Sequence, residues 1–166
     1  METLILKIVN KEYSNEECVK NAVSYIYRLK KAKHLPVFCY GCEYIYESII
    51  HDFYHIYDLY RKTDRYLQHI ILSFPYKRLD MEEKFFADKI AALFSRHYLV
   101  CYALHTDTKH GHFHFLICAA SYLPDIKPLE GSVLEEYISL ISQMAAGEGF
   151  LIQVKEDNSM EEDDYV

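Results

Sequence analysis

The chain has 166 residues, 51% of them hydrophobic and 15% aromatic, and carries 18 Lys+Arg against 25 Asp+Glu, a formal charge of −7. That length and composition fit one compact domain with a sizeable core and exclude a chain disordered throughout. No apolar run approaches the ~20 residues of a membrane span, and the N-terminus lacks a signal-peptide layout, so we expect no membrane insertion and a cytoplasmic protein.

Leu4-Ile5-Leu6-Lys7-Ile8-Val9 reads as a strand. Ser14-Asn15-Glu16-Glu17 is a capping-box pattern, and Val19, Ala22, Val23, Ile26 and Leu29 follow at helical spacing, which predicts a first helix over about 15–33. Tyr25 and Tyr27 lie on it, just ahead of the basic residues Arg28, Lys30, Lys31 and Lys33. Pro36 to Gly41 breaks the pattern, with Val37-Phe38-Cys39-Tyr40 a short extended piece. From Tyr44 to Tyr60, Ile45, Ile49, Phe53, Ile56 and Leu59 keep helical spacing. The tyrosines there suit either packing on a sheet or stacking on bases.

Arg61, Lys62 and Arg65 form a basic cluster ahead of a strand-like segment, 66–73, which ends at Phe74-Pro75. Asp80 or its neighbour starts another helix with Glu82 and Glu83 in its first turn and Phe85, Phe86, Ile90, Leu93 and Phe94 on the expected buried face. Two apolar runs, 98–104 and 115–120, flank His105-Thr106-Asp107-Thr108-Lys109-His110-Gly111-His112-Phe113-His114. Side chains alternate along a strand, so His112 and His114 point one way and Phe113 and Phe115 the other. A hairpin turn over Thr106–Gly111 brings His105 beside that pair. Three neutral imidazoles then converge with coordination positions left open, unlike the closed paired Cys/His spacing of structural zinc modules. Beyond Leu123-Pro124-Asp125, a helix over about 132–145 and a strand over 149–154 complete a single domain, 1–155, and an acidic disordered tail, 156–166, follows.

Five cysteines include one CxxC, Cys39 and Cys42, without a second pair to complete a zinc site, so reduced thiols are expected. Net acidity runs against nucleic-acid binding, but it is uneven: 18–100 holds 13 Lys+Arg and 9 Asp+Glu, whereas 121–166 holds 2 and 11. The candidate phosphate contacts are Arg28, Lys30, Lys31, Lys33, Arg61, Lys62 and Arg65.

His105-Thr106-Asp107 with His112-Phe113-His114 resembles the HxD and HUH signature of the relaxase, or mobilisation nuclease, family of HUH endonucleases. Ala22-Val23-Ser24-Tyr25-Ile26 is similar to the stretch that supplies that family's nucleophilic tyrosine, and His69-Ile70-Ile71-Leu72-Ser73-Phe74 to its strand beside the histidines. The resemblance covers about residues 1–122. It implies an α+β, mainly antiparallel sheet with flanking helices and a metal site on its open face. It further implies His105, His112 and His114 as ligands of Mg or Mn, and Tyr25 as nucleophile with Tyr27 as the alternative. The expected chemistry is nicking of single-stranded DNA at a plasmid or mobile-element transfer origin in conjugation, through a 5′-phosphotyrosine, with accessory mobilisation proteins as partners. In the turn, Asp107 is expected to fix a ligand tautomer. The chain departs from the family pattern in His110-Gly111, where many members have Asn, and in its short acidic C-terminal part. Other readings are a non-catalytic binding module on the same fold, a rolling-circle replication initiator, and a metal-dependent hydrolase of small substrates.

Overall fold

The computed structural model describes residues 1–28 and 36–157. Within them the element order is β1 (Glu2–Val9), α1 (Cys18–Tyr27), β2 (Phe38–Tyr40), α2 (Tyr46–Tyr60), β3 (Leu67–Ser73), α3 (Met81–Ser95), β4 (Val100–His105), β5 (His112–Cys118), α4 (Gly131–Gly147) and β6 (Phe150–Asp157). The strands form one six-stranded sheet in the order β2-β4-β5-β3-β1-β6. All neighbours are antiparallel except β1 and β6, which are parallel; β5 and β6 thus run the same way, and α4 makes the crossover between them. The protein is α+β, as its strand and helix pattern predicts.

Alternation along the strands makes two cores. Val100, Tyr102, Phe113, Phe115 and Ile117 join Phe86, Ile90, Phe94 and Ile141 under α3 and α4. Cys101, Ala103, Leu116 and Cys118 join Val19, Val23, Ile26, Ile49 and Phe53 under α1 and α2. The histidine face of β5 is thus roofed by α1 and α2, and the expectation of an open face is corrected.

Several boundaries shift for local reasons. The capping box at Ser14 does not form: the Asn15 Oδ1 accepts the Glu17 N–H at 3.1 Å, a turn that competes with helix, so α1 begins only at Cys18. It ends at Tyr27, where Arg28 turns left-handed (φ 57°) and its N–H meets the Tyr25 carbonyl at 3.0 Å. The expected continuation of this helix to Lys33 lies outside the described residues.

On α2 the buried stripe is Ile49, Phe53 and Tyr57, while Ile45 and Leu59 are exposed. On α3 the capping turn is present, with the Asp80 N–H donating to Glu83 Oε2 at 2.9 Å. Phe85 is exposed there, because Ala87 and Ala91 share the buried face with Phe86, Ile90 and Phe94. Strand β6 runs past residue 155: Glu156 and Asp157 pair with Ile8 and Val9, so the acidic segment starts inside the sheet. Residues 158–166 lie outside the described part. The five cysteines are free thiols, with Cys39 and Cys42 only half-buried. No described helix is long and apolar enough to cross a membrane.

Candidate metal centre and active site

The β4–β5 hairpin sets His105 directly opposite His112, with His114 opposite Ala103. Directly opposed side chains have Cβ atoms ~4.5–5.5 Å apart, so the three rings gather at the hairpin's turn end. Their centroids are 4.3 Å (His105–His114), 4.9 Å (His112–His114) and 5.6 Å (His105–His112) apart. One nitrogen from each lies within 4.8 Å of the other two. The three imidazoles expected to converge do so.

Hydrogen bonds decide which nitrogens face one another. His105 Nε2 donates to the Ile26 carbonyl at 3.0 Å, and His112 Nδ1 donates to the His110 carbonyl at 2.9 Å. His114 Nδ1 meets His69 Nε2 at 2.8 Å. The remaining atoms include His105 Nδ1 and His114 Nε2, both buried and without a hydrogen-bond partner. A buried polar nitrogen costs free energy unless satisfied, and an imidazole lone pair is satisfied by a cation as well as by a proton donor. His105 Nδ1, His112 Nε2 and His114 Nε2 therefore fit a first-row or hard divalent ion, with coordination left for oxygen ligands.

Burial keeps the rings neutral, as ligands must be. Desolvation lowers His105 to about 4, lowers His112, and holds His114 well below the ordinary imidazole value. The neighbouring imidazoles and the Arg28 cation push His114 the same way.

Helix α1 brings Tyr25 over this cluster. Its ring meets His114 edge-on at 5.1 Å, His105 at 5.6 Å and His69 at 6.4 Å. The Arg28 guanidinium carbon sits 4.6 Å from the Tyr25 ring centroid. Arg28 Nη2 also pairs with Asp107 at 3.0 Å, its side chain only 11% exposed. Asp107 pairs with Arg28, while the hydrogen bonds of the ligand imidazoles run to Ile26, His110 and His69. Tyr27, three residues from Ser24 but turned away, donates its hydroxyl to the Tyr44 carbonyl at 2.6 Å and packs on Tyr46. Burial, with nearby thiols, pushes its phenol up.

Family likeness can now be set beside this geometry. The model of the family described as "Relaxase: MobA/VirD2-like, nuclease domain" matches residues 10–124. The chain belongs to this relaxase family. Members are DNA nucleases that use a divalent metal and bind single-stranded DNA, and the matched span holds Tyr25, His69 and all three clustered histidines. No curated protein matches the chain.

Other candidates from the relaxase motifs separate. Arg61, Lys62 and Arg65 precede β3, whose first residue pairs with Cys118, whereas Ser73 at its other end pairs with His112. Six residues of strand, roughly 20 Å, lie between that cluster and the histidines. Arg65 Nη1 is committed to the Lys11 and Leu67 carbonyls at 2.8 and 3.2 Å. Lys30, Lys31 and Lys33 lie outside the described residues. His69 is fully buried, and its Nδ1 contacts the Tyr13 hydroxyl at 2.9 Å. Sequence reasoning missed Tyr13 altogether. The sequence marks His69 as part of the strand beside the histidines, but its contact with His114 follows only from the β3–β5 pairing.

Proposed function

We propose that the chain nicks single-stranded DNA at a transfer origin by forming a 5′-phosphotyrosyl bond through Tyr25. The observation that carries this reading is the position of the Tyr25 ring, 5.1 Å from His114 and 5.6 Å from His105, above nitrogens suited to a cation. His105 Nδ1, His112 Nε2 and His114 Nε2 would hold Mg or Mn, which when bound neutralises charge on the scissile phosphate oxygens.

A phenol with an ordinary pKa near ~10 is a weak nucleophile at neutral pH. Arg28, over the ring and anchored by Asp107, stabilises the phenolate and presents guanidinium N–H groups to a phosphate oxygen. The Tyr25 oxygen attacks phosphorus, the bond to the 3′ oxygen breaks, and the proton lost by the phenol ends on the released 3′-hydroxyl. The phosphotyrosyl ester retains the bond energy, so the strand can be rejoined. Tyr27 is the poorer nucleophile because its hydroxyl serves Tyr44 and its burial favours the neutral phenol. Action in the cytoplasm at a plasmid or mobile-element origin, with accessory mobilisation proteins, completes the proposal.

The test is incubation with labelled single-stranded DNA carrying a cognate origin and Mn, followed by denaturing electrophoresis. A covalent adduct that disappears in Tyr25→Phe and survives in Tyr27→Phe supports the assignment. An adduct unchanged by Tyr25→Phe overturns it, and metal binding with no adduct on any origin points instead to a non-catalytic module.

A further inference from the structure

We propose that Tyr13 and His69 form a positioning pair that sets the tautomer of His114 and so determines which of its nitrogens faces the cation. The inference rests on reading the triad as a metal site; it gives His69, otherwise only the first residue of a strand motif, a role there and adds Tyr13 to it.

The pair forms a buried chain. His114 Nδ1 lies 2.8 Å from His69 Nε2, and His69 Nδ1 lies 2.9 Å from the Tyr13 hydroxyl. His114, His69 and Tyr13 are 1%, 0% and 2% exposed, so water does not substitute for these contacts. Each neutral imidazole has one N–H and one lone pair, which leaves two ways to place the protons. If the Tyr13 hydroxyl donates inward, His69 donates to His114 Nδ1, and the His114 proton must sit on Nε2. That atom is buried in the triad without an acceptor. If instead His114 Nδ1–H donates to His69 Nε2 and His69 Nδ1–H donates to the Tyr13 oxygen, the His114 Nε2 lone pair is free for a cation. Only the second arrangement gives the triad three lone pairs.

Tyr13 is held for this task at a cost to its backbone. It is one of only three non-glycine residues with positive φ among those described, at 47°, a region that residues with a Cβ rarely adopt. Its carbonyl accepts the Tyr66 N–H at 2.9 Å, and its ring lies near Lys11 Nζ and the Arg65 guanidinium, 5.6 and 5.9 Å from the centroid. Surroundings that over-determine a rare conformation are a mark of functional placement.

The chemistry of the pair also matters. Metal-bound histidines commonly donate their second N–H to a carboxylate or a carbonyl, and here the acceptor for His114 is a neutral imidazole backed by a phenol. A carboxylate in that place would subtract a charge from the site. The His69–Tyr13 pair orients the ligand without itself adding a negative charge beside the cation.

The test measures Mn affinity by calorimetry in wild type, Tyr13→Phe, His69→Phe and His69→Gln, and reads imidazole tautomers by nitrogen NMR of the Zn-loaded full chain. His114 in wild type is expected to carry its proton on Nδ1. Affinity should fall about 10–100-fold in His69→Phe and less in Tyr13→Phe. His69→Gln, whose side-chain carbonyl still accepts from His114, should recover most of the loss. A His114 proton on Nε2 in the Zn form, or a loss under threefold in both His69 variants, overturns the pairing. Should His69→Phe fail to fold, the tautomer and the comparison of Tyr13→Phe with His69→Gln decide it. Failure of wild type to bind metal at the triad would sink the metal site itself, whereas tight wild-type binding unchanged by these variants sinks only the pair.

Discussion

His105 donates its Nε2 proton to the carbonyl of Ile26 at 3.0 Å, tying a candidate metal ligand to the residue that follows Tyr25. Carbonyls in the last turn of a helix lack intrahelical donors, and α1 ends at Tyr27, so the Ile26 oxygen is available to the strand below. One hydrogen bond therefore couples the position of the tyrosine to the orientation of the imidazole. Shortening α1 to end there is what creates the coupling.

Removing a ligand ring should abolish tight metal binding. His105→Ala, His112→Ala and His114→Ala are each expected to weaken Mn binding by more than the roughly 10–100-fold that follows loss of an outer partner. Calorimetry at constant pH checks this. The exposed pair His51 and His55, stacked at 5.9 Å on α2, serves as the control, and alanine at both should change nothing.

Arg28 makes two separable contributions, one to activity and one to the backbone. Arg28→Ala and Arg28→Gly both remove the guanidinium from Tyr25 and Asp107, and both should suppress the covalent adduct at least tenfold. At φ 57°, however, glycine is the better residue, so Arg28→Gly should be about 1 kcal/mol more stable than Arg28→Ala in urea unfolding. Equal stabilities would show that the left-handed backbone relaxes on substitution.

Gly111 is required for space rather than for its φ. A Cβ there would lie 2.8 Å from the Lys77 carbonyl oxygen and 2.9 Å from Leu79 Cγ, while the Gly111 N–H and carbonyl are bonded to Tyr76 and Phe74. Gly111→Ala must displace the turn next to His112. We expect a loss of ~1–3 kcal/mol and weaker Mn binding. The measurements are thermal unfolding in EDTA and a Mn titration.

Acid should destabilise the metal-free protein over a defined window. Burial lowers His69 to about 3 and His105 to about 4, with His112 and His114 also lowered, against an unfolded imidazole near ~6.5. The unfolded chain then binds more protons than the folded one between those values. Stability is full above the unfolded pKa and is lost as pH falls from about 6.5 toward the folded values. Melting temperature in EDTA should drop across that range and drop less in His69→Gln, which has one fewer group to protonate. Saturating Mn should move the loss to lower pH, because protons then compete with the ion.

Much of this was legible because strand periodicity is simple. His112 and His114 share a face by parity alone, and the polar stretch from Thr106 to Gly111 could only be a turn between two apolar runs. What parity cannot supply is which helix covers the face, so the histidines looked exposed when α1 and α2 bury them. The basic cluster Arg61–Arg65 looked like a phosphate track because charge is visible in sequence and position along the sheet is not. Strand β3 runs from that cluster to Ser73, which carries the cations to the far end. Tyr13 left no signal, since its role depends on a left-handed backbone and a partner 56 residues away. Accordingly, Arg61→Ala with Lys62→Ala should leave adduct formation within about twofold of wild type, whereas Arg28→Ala should not.

The most direct measurement is an anomalous difference map from crystals of the full chain soaked in Mn. The account predicts one peak bound by His105 Nδ1, His112 Nε2 and His114 Nε2, beneath the Tyr25 ring. No peak among those nitrogens at saturating Mn, or a peak held by other residues with the triad empty, would contradict it.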